Sequence, residues 1–331
     1  MATGTQAEML GVVIVNTGTP DAPHARDVRR FLRRFLSDPR VVELPRLFWL
    51  PLLYGLVLPL RSPRSARLYR SVWMDGGSPL AVHSQRLRHA LELELEAAKP
   101  AGAAVECAFL YSDPSLATAL ANLRRAGANR IVVLPLYPQA SGATTGAVYD
   151  QVGMALRGWR ALPALHLISD YHADSAYIAS LADSVREHWA SYGRTSHLLV
   201  SFHGIPQRSV DRGDAYGAQC RATAQQLAAA LELSPDQWSL AFQSRFGRAR
   251  WLTPATDRVL GALPAQGIRT LTVTCPGFAV DCLETLEEVA MRGREIFLHA
   301  GGTQFQYVPA LNDRGDHARA LARLALANAG G

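Results

Sequence analysis

VVIVNTGTP at residues 12–20 returns as LLVSFHGIP at residues 198–206. Both read as an apolar run, a polar residue, a glycine, one further residue and a proline. Two more pairs follow in the same order: ECAFLYS (106–112) resembles SLAFQSR (239–245), and RIVVLPLYP (130–138) resembles RTLTVTCP (269–276). Self-similarity of this kind marks a duplicated structural unit. Each run is short and continuously apolar, as in strands buried on both faces of a helix-covered parallel sheet. The expected strands are 12–16, 105–111, 131–136 and 165–168 in the first half, and 198–203, 239–243, 270–275 and 305–308 in the second. Amphipathic runs at 84–98, 116–126, 176–192, 216–231, 283–293 and 316–329 predict the covering helices. The fold class is therefore α/β: two Rossmann-like domains, 1–172 and 173–331, each a four-stranded parallel sheet flanked by helices. The last helix is expected to pack back on the first domain.

The two halves differ in one place. The stretch from Pro20 to Pro138 is longer than that from Pro206 to Pro276 by about 48 residues, and the excess coincides with an unusual segment at about 26–80. That segment carries Arg26, Arg29, Arg30, Arg33, Arg34, Arg61, Arg64, Arg67 and Arg70, together with LPRLFWLPLLYGLVLPL at 44–60. Three prolines and Arg46 interrupt the apolar run, which falls short of the roughly 20 residues of a spanning helix. An exposed or interfacial apolar element is the expectation. Inserted at a strand's carboxyl end, it stands where open α/β sheets bind their ligands.

Composition narrows the function classes. In 331 residues, 48% are hydrophobic and 19% charged, and 34 Lys and Arg against 28 Asp and Glu give a net charge of +6. A basic protein invites nucleic acid, but no aromatic-interleaved RNA motif, helix-turn-helix signature or zinc-finger spacing is present. A membrane surface or a small dicarboxylate fits the charge better. Cys107, Cys220, Cys275 and Cys282 are scattered and form no CxxC pair. This argues for a reducing compartment, and against a disulfide framework, a structural zinc site or an iron–sulfur cluster. No export signal is evident in MATGTQAEML. Neither half has a GxGxxG turn or a GxxxxGK[ST] loop, and a GxSxG nucleophile elbow is missing too.

Two positions stand out chemically. His203 closes the apolar strand 198–203 and precedes Gly204, which places it at a crevice. An imidazole there can take a proton near neutral pH or ligate a transition metal; it can equally cap the strand by bonding to backbone. The second is DCLETLEE, 281–288, opening a helix after a strand. Asp281, Glu284, Glu288 and Glu295 are spaced to share one face of an α-helix. The helix dipole favours carboxylates in a first turn by about 0.3–1 kcal/mol each, yet like charges at this spacing repel. A stripe of four suits relay of a divalent cation towards the crevice. One imidazole and one carboxylate are too few for a permanent structural metal, which usually has four ligands; they suit a metal that arrives and leaves.

SFHGIPQRSVDRGDAYGAQC (201–220), FQSRFGRARWLTPATD (242–257) and CPGFAVDCLETLEE (275–288) resemble ferrochelatase, in particular its proteobacterial form without an iron–sulfur cluster. LPLYPQASGATTGA (134–147), YRSVWMDGGSP (69–79) and NTGTP (16–20) fit as well, in family order. The resemblance implies insertion of Fe(II) into protoporphyrin IX, giving protohaem and two protons at the last step of haem biosynthesis. Iron is then a substrate, and no cofactor is permanently bound. It implies His203 and Glu284 as catalytic and metal-binding residues, with Asp281 and Glu288 on the metal path. It also implies porphyrin contacts from Thr17, which duplicates the position of His203, and from Tyr111 and Tyr137. Its apolar lip, matching 44–60, implies a cytoplasmic enzyme peripheral at the inner face of the membrane. Leu110, Ala140 and Cys282 depart from residues common in the family (arginine, an aromatic and histidine). Within the enzyme class the alternative is a chelatase for cobalt or coproporphyrin; outside it, a porphyrin carrier without turnover, which would not need the acidic stripe.

Overall fold

The computed structural model describes residues 9–98, 102–245, 247 and 249–329. In chain order the first half forms β1 (Leu10–Asn16), α1 (Ala25–Leu36), α2 (Arg46–Leu52), α3 (Leu58–Val72), α4 (Pro79–Ala98), β2 (Ala103–Phe109), α5 (Leu116–Arg125), β3 (Arg130–Pro135), α6 (Thr145–Leu156) and β4 (Ala164–Leu167). There follow α7 (Ser175–Tyr192), β5 (His197–His203), α8 (Gln207–Asp211), α9 (Tyr216–Ala230), β6 (Trp238–Gln243), α10 (Thr256–Ala262) and β7 (Thr270–Thr274). A π-helix (Glu284–Gly293), α11 (Arg294–His299), β8 (Gln304–Tyr307) and α12 (Gly315–Ala329) complete the second half.

The duplication is topological. One sheet has the order β2-β1-β3-β4, the other β6-β5-β7-β8, and every pairing is parallel. Small details repeat too: the Phe109 N–H donates to the Pro114 carbonyl at 2.9 Å, and the Phe242 N–H to the Pro254 carbonyl at 2.8 Å. The loop closed by the second bond is the longer one, and it carries Arg245 and Trp251.

Alternation along the central strands explains how one molecule is built from two sheets. Leu10, Val12 and Ile14 of β1 join Leu198, Val200 and Phe202 of β5 in one core shared by both halves. Val13 and Val15 face the other way, into a core with α1, α3, α5 and α6, while Leu199 faces a smaller one with α10 and α11. Side chains two apart share a face of a strand, so each central strand supplies both layers. α12 lies against α4, α7 and β3, contributing Leu321 and Ala325 to the shared core. Arg130 of β3 donates to the Ala329 carbonyl.

One departure from expectation and one feature of the inserted segment have physical causes. The helix expected at 84–98 begins at Pro79, because the Ser78 hydroxyl accepts the Ala81 N–H at 3.2 Å; serine as a cap with proline in the first position is a favoured start. In the inserted segment the prolines do not break the apolar run into irregular chain. Pro51 and Pro59 lack the N–H that the helical ladder needs, and between them Leu53–Val57 adopts a π-turn that carries α2 into α3. Such single-turn bulges are a known way of absorbing a register fault. The resulting ridge buries Trp49, Leu53 and Leu58 and leaves Leu47, Phe48 and Leu60 at 81%, 75% and 68% exposure. Among the described residues no helix is long and apolar enough to cross a membrane.

Candidate active site

His203 is the last residue of β5, paired in register with Gln243 of β6. Its Nδ1 lies 2.7 Å from the Gly204 carbonyl oxygen. A carbonyl only accepts, so Nδ1 carries a ring proton, and in the neutral form of the ring the lone pair is on Nε2. The ring is half-buried, its centroid 6.4 Å from that of Phe278. The next residue has no room for a side chain: a Cβ on Gly204 would stand 2.9 Å from the Gln243 carbonyl oxygen and 3.3 Å from Trp251 Cε3.

Glu284 opens the π-helix and is half-buried. Its carbonyl accepts the Gln243 Nε2–H at 3.1 Å. Its carboxylate acts on two groups of α3. Burial pushes the Tyr69 hydroxyl well above its ordinary range and Glu284 adds to the effect; burial lowers the Arg61 guanidinium and Glu284 opposes the effect. The inserted segment of the first half thus meets the helix of the second at Glu284, and Leu283 packs into the first half's outer core.

The acidic stripe is re-registered. A helix closed at i+5 lines up residues four and five apart, so Glu284 and Glu288 stay neighbours and Arg292 follows. Glu288 and Arg292 line a cavity of about 370 Å³ with Ser244, Arg245, Asp257 and Trp251. Ser244 donates to both Glu288 oxygens, its N–H to Oε1 at 2.8 Å and its Oγ to Oε2 at 2.5 Å. Asp281, expected on the metal path, is not on that line. It precedes the helix, is 3% exposed, and accepts from the Tyr307 hydroxyl at 2.6 Å, Thr285 Oγ1 at 2.8 Å and Asn312 Nδ2 at 2.9 Å. Glu295 lies beyond the π-helix, exposed on α11.

On the first sheet, Thr17, Tyr111 and Tyr137 gather at the carboxyl ends of β1, β2 and β3. Thr17 Oγ1 and the Tyr137 hydroxyl are 2.8 Å apart. The Tyr111 N–H donates to the Thr17 carbonyl at 3.0 Å, and its hydroxyl donates to Asp38 Oδ2 at 2.8 Å. Burial, and for Tyr111 the Asp38 carboxylate, raise both phenols, so both are neutral hydrogen-bonding groups.

Gln243, Ser244 and Tyr69 did not stand out in the sequence, and Arg61 did so only as one of the clustered arginines. A signal existed for Gln243. In the duplicate alignment it falls opposite Leu110, so one half ends its strand on an apolar residue and the other on an amide. Among the described residues no set of three or more His, Cys, Asp or Glu side chains converges.

The family model described as Ferrochelatase matches residues 9–329. The chain belongs to the ferrochelatase family. Proteins curated as ferrochelatase are similar over nearly the whole length. That of Thioalkalivibrio sulfidiphilus is 51% identical over 98% of this chain and 88% of its own. That of Sodalis glossinidius is 53% identical over 97% and 94%, and that of Methylococcus capsulatus 52% over 95% of each. Ferrochelatases are enzymes that insert a metal into a porphyrin, and so is this one. Among solved structures, SirB from Bacillus subtilis with Fe3+ superposes at a TM-score of 0.58, 12% identical, covering 98% of this chain and 96% of that one. A sirohydrochlorin chelatase SirB in complex with cobalt gives 0.55 at 10% identity, covering 97% and 95%. These two speak to the ferrochelatase fold alone.

Proposed function

We propose that His203 and Glu284 act together on Fe(II) as it enters protoporphyrin IX. The observation carrying this reading is that Gln243 bonds both the peptide after His203 and the Glu284 carbonyl, while the Gly204 carbonyl engages only Nδ1 of the imidazole. In the reaction two pyrrole N–H bonds break, Fe(II) forms bonds to the ring nitrogens without changing oxidation state, and two protons leave. An imidazole nitrogen can accept a proton in such a step, and the Glu284 carboxylate is a hard oxygen ligand for the hydrated ion. Iron is a substrate in this scheme, with no resident metal or iron–sulfur cluster. Glu288, at the wall of the cavity, is the outer station of the path and Glu284 the inner one; Asp281, buried and outside the lining of that cavity, is off the route.

Thr17, Tyr111 and Tyr137 form part of the porphyrin seat on the first sheet, and arginines of α1 and α3 pair with the two propionates, as guanidinium does with carboxylate. The exposed ridge of Leu47, Phe48 and Leu60 rests against a membrane surface, from which an apolar porphyrin is taken, so the enzyme is peripheral at the cytoplasmic face. Relatives named ferrochelatase weigh against cobalt, coproporphyrin or a carrier role.

The deciding assay is anaerobic insertion of Fe(II) into protoporphyrin IX, run in parallel with cobalt and with coproporphyrin. His203→Ala and Glu284→Gln should each lower turnover by about 10²-fold or more while porphyrin binding, followed by fluorescence, persists. Normal turnover in either variant removes that residue from the mechanism.

A further inference from the structure

One buried residue with no acid–base chemistry of its own bonds the peptide after His203 through its backbone and the Glu284 carbonyl through its side chain. Gln243 is 2% exposed. Its backbone carbonyl accepts the Gly204 N–H at 2.8 Å, tying down the peptide that follows His203. Its Nε2 donates to the Glu284 carbonyl at 3.1 Å, tying down the first peptide of the π-helix. Its Oε1 accepts the Ser201 hydroxyl at 2.8 Å and lies 3.6 Å from the Cys275 thiol. The amide is therefore braced by β5 and β7 on one side and grips the π-helix with the other.

The first half shows that the strand end does not need such a residue. There the same position is Leu110, buried and apolar, opposite Thr17 instead of His203. Burying an amide costs desolvation unless its partners are supplied, and only the half that holds His203 and Glu284 supplies them. A carbonyl has two lone pairs, so the first carbonyl of the π-helix can accept the Gln243 amide beside a bond within the helix. That donor sets the peptide plane at Glu284, and with it the direction in which the carboxylate leaves the chain.

We infer that Gln243 is a positioning residue for metal insertion, setting the separation and direction of Glu284 relative to His203. The inference rests on those two being the reacting pair. Reacting groups must be held to about 0.5 Å by their supporting shell, and losing an outer-shell partner typically costs about 10–100-fold in metal affinity or activity.

The test compares three variants of the full chain. Gln243→Asn keeps a buried amide but is one methylene short of the Glu284 carbonyl, and Gln243→Met keeps volume without hydrogen bonds. Ser201→Ala removes one brace of the amide and leaves the arm to Glu284. Both Gln243 variants should lose about 10–100-fold in kcat/KM for Fe(II) with unchanged porphyrin binding. Ser201→Ala should lower the melting temperature and lose clearly less in kcat/KM for Fe(II) than either Gln243 variant. Wild-type kcat/KM in Gln243→Asn overturns the inference, as does an equal loss in Ser201→Ala; Gln243→Asn alone suffices should Gln243→Met not fold. Active His203→Ala or Glu284→Gln would instead overturn the pair itself, whereas inactive ones beside a wild-type-like Gln243→Asn would remove only the positioning role.

Discussion

Asp281 and Asn312 hold each other by two hydrogen bonds of opposite sense: the Asp281 N–H donates to Asn312 Oδ1 at 2.8 Å, and Asn312 Nδ2 donates to Asp281 Oδ2 at 2.9 Å. With Tyr307 and Thr285 on the other oxygen, a buried carboxylate becomes a junction between β8, the entry to α12 and the turn that launches the π-helix. Burial and this carboxylate push the Tyr307 hydroxyl well above its ordinary range. Removing the amide leaves polar groups unpaired, at a cost of about 1–3 kcal/mol. Asn312→Ala should lose stability of that order in chemical denaturation. Asn312 has φ of +48°, so Asn312→Gly, which relaxes the backbone without restoring the amide, should recover only part of the loss. A denaturation midpoint unchanged in both variants would sink the assignment.

His317 makes stability depend on pH. It is fully buried in α12, its Nδ1 donating to the Asn312 carbonyl at 2.8 Å. Burial drives its pKa from an ordinary 6.5 down to about 4, against the smaller opposing effects of that bond and of Asp316. The unfolded chain takes up a proton near 6.5 that the folded chain refuses until about 4. The stability held above 6.5 therefore drains away as pH falls through this window, by about 3 kcal/mol over its full width. Unfolding free energy measured from pH 7 to 4.5 should slope downward, and His317→Gln should flatten the slope. An equal slope in both proteins would assign the effect to other groups.

The ridge of α2 and α3 should be dispensable for chemistry and needed for surface binding. Full burial of a large aliphatic or aromatic side chain contributes about 1.5–3 kcal/mol, and nearby exposed Arg64 and Arg67 favour anionic lipid. The combined Leu47→Ser, Phe48→Ser and Leu60→Ser variant should bind phosphatidylglycerol vesicles at least about tenfold more weakly, with unchanged turnover on detergent-solubilised porphyrin. Sedimentation with vesicles reads this directly; undiminished binding would place the contact elsewhere.

Gly204→Ala tests how tightly β5 and β6 close around the histidine. The added methyl has 2.9 Å to a backbone oxygen and 3.3 Å to the Trp251 ring, so the peptide after His203 must shift. Overpacking of this kind costs about 1–3 kcal/mol, and the displaced imidazole should lower kcat with porphyrin binding kept. Retained kcat would mean that the loop carrying Trp251 yields instead.

Much of this architecture was legible in the chain, for reasons that particular residues make plain. VVIVN and LLVSF alternate faces in a two-sided sheet, so both halves could be read from apolar runs alone. The run 44–60 could be read as an exposed apolar element, but nothing in it announces the π-turn that joins its two helices. The same limitation moved Asp281. Spacing of three, four and seven assumes the α period, and no residue in DCLETLEE announces a wider ladder; only the partners Tyr307 and Asn312, brought from a distant strand and loop, show where that carboxylate goes. Gln243 was hidden differently, since its meaning lies in what it joins across three elements.

The placement of α12 has a consequence in time. It follows every other described element in chain order, yet it covers α4 and β3 of the first half. As the polypeptide emerges from the ribosome at about 5–20 residues per second, Leu87, Leu91 and Leu95 of α4 must wait for Leu321 and Ala325, which share their core. A nascent chain thus spends on the order of tens of seconds with a greasy seam open. The seam closes only once α12 has emerged, so the first half completes its core after the second has been made.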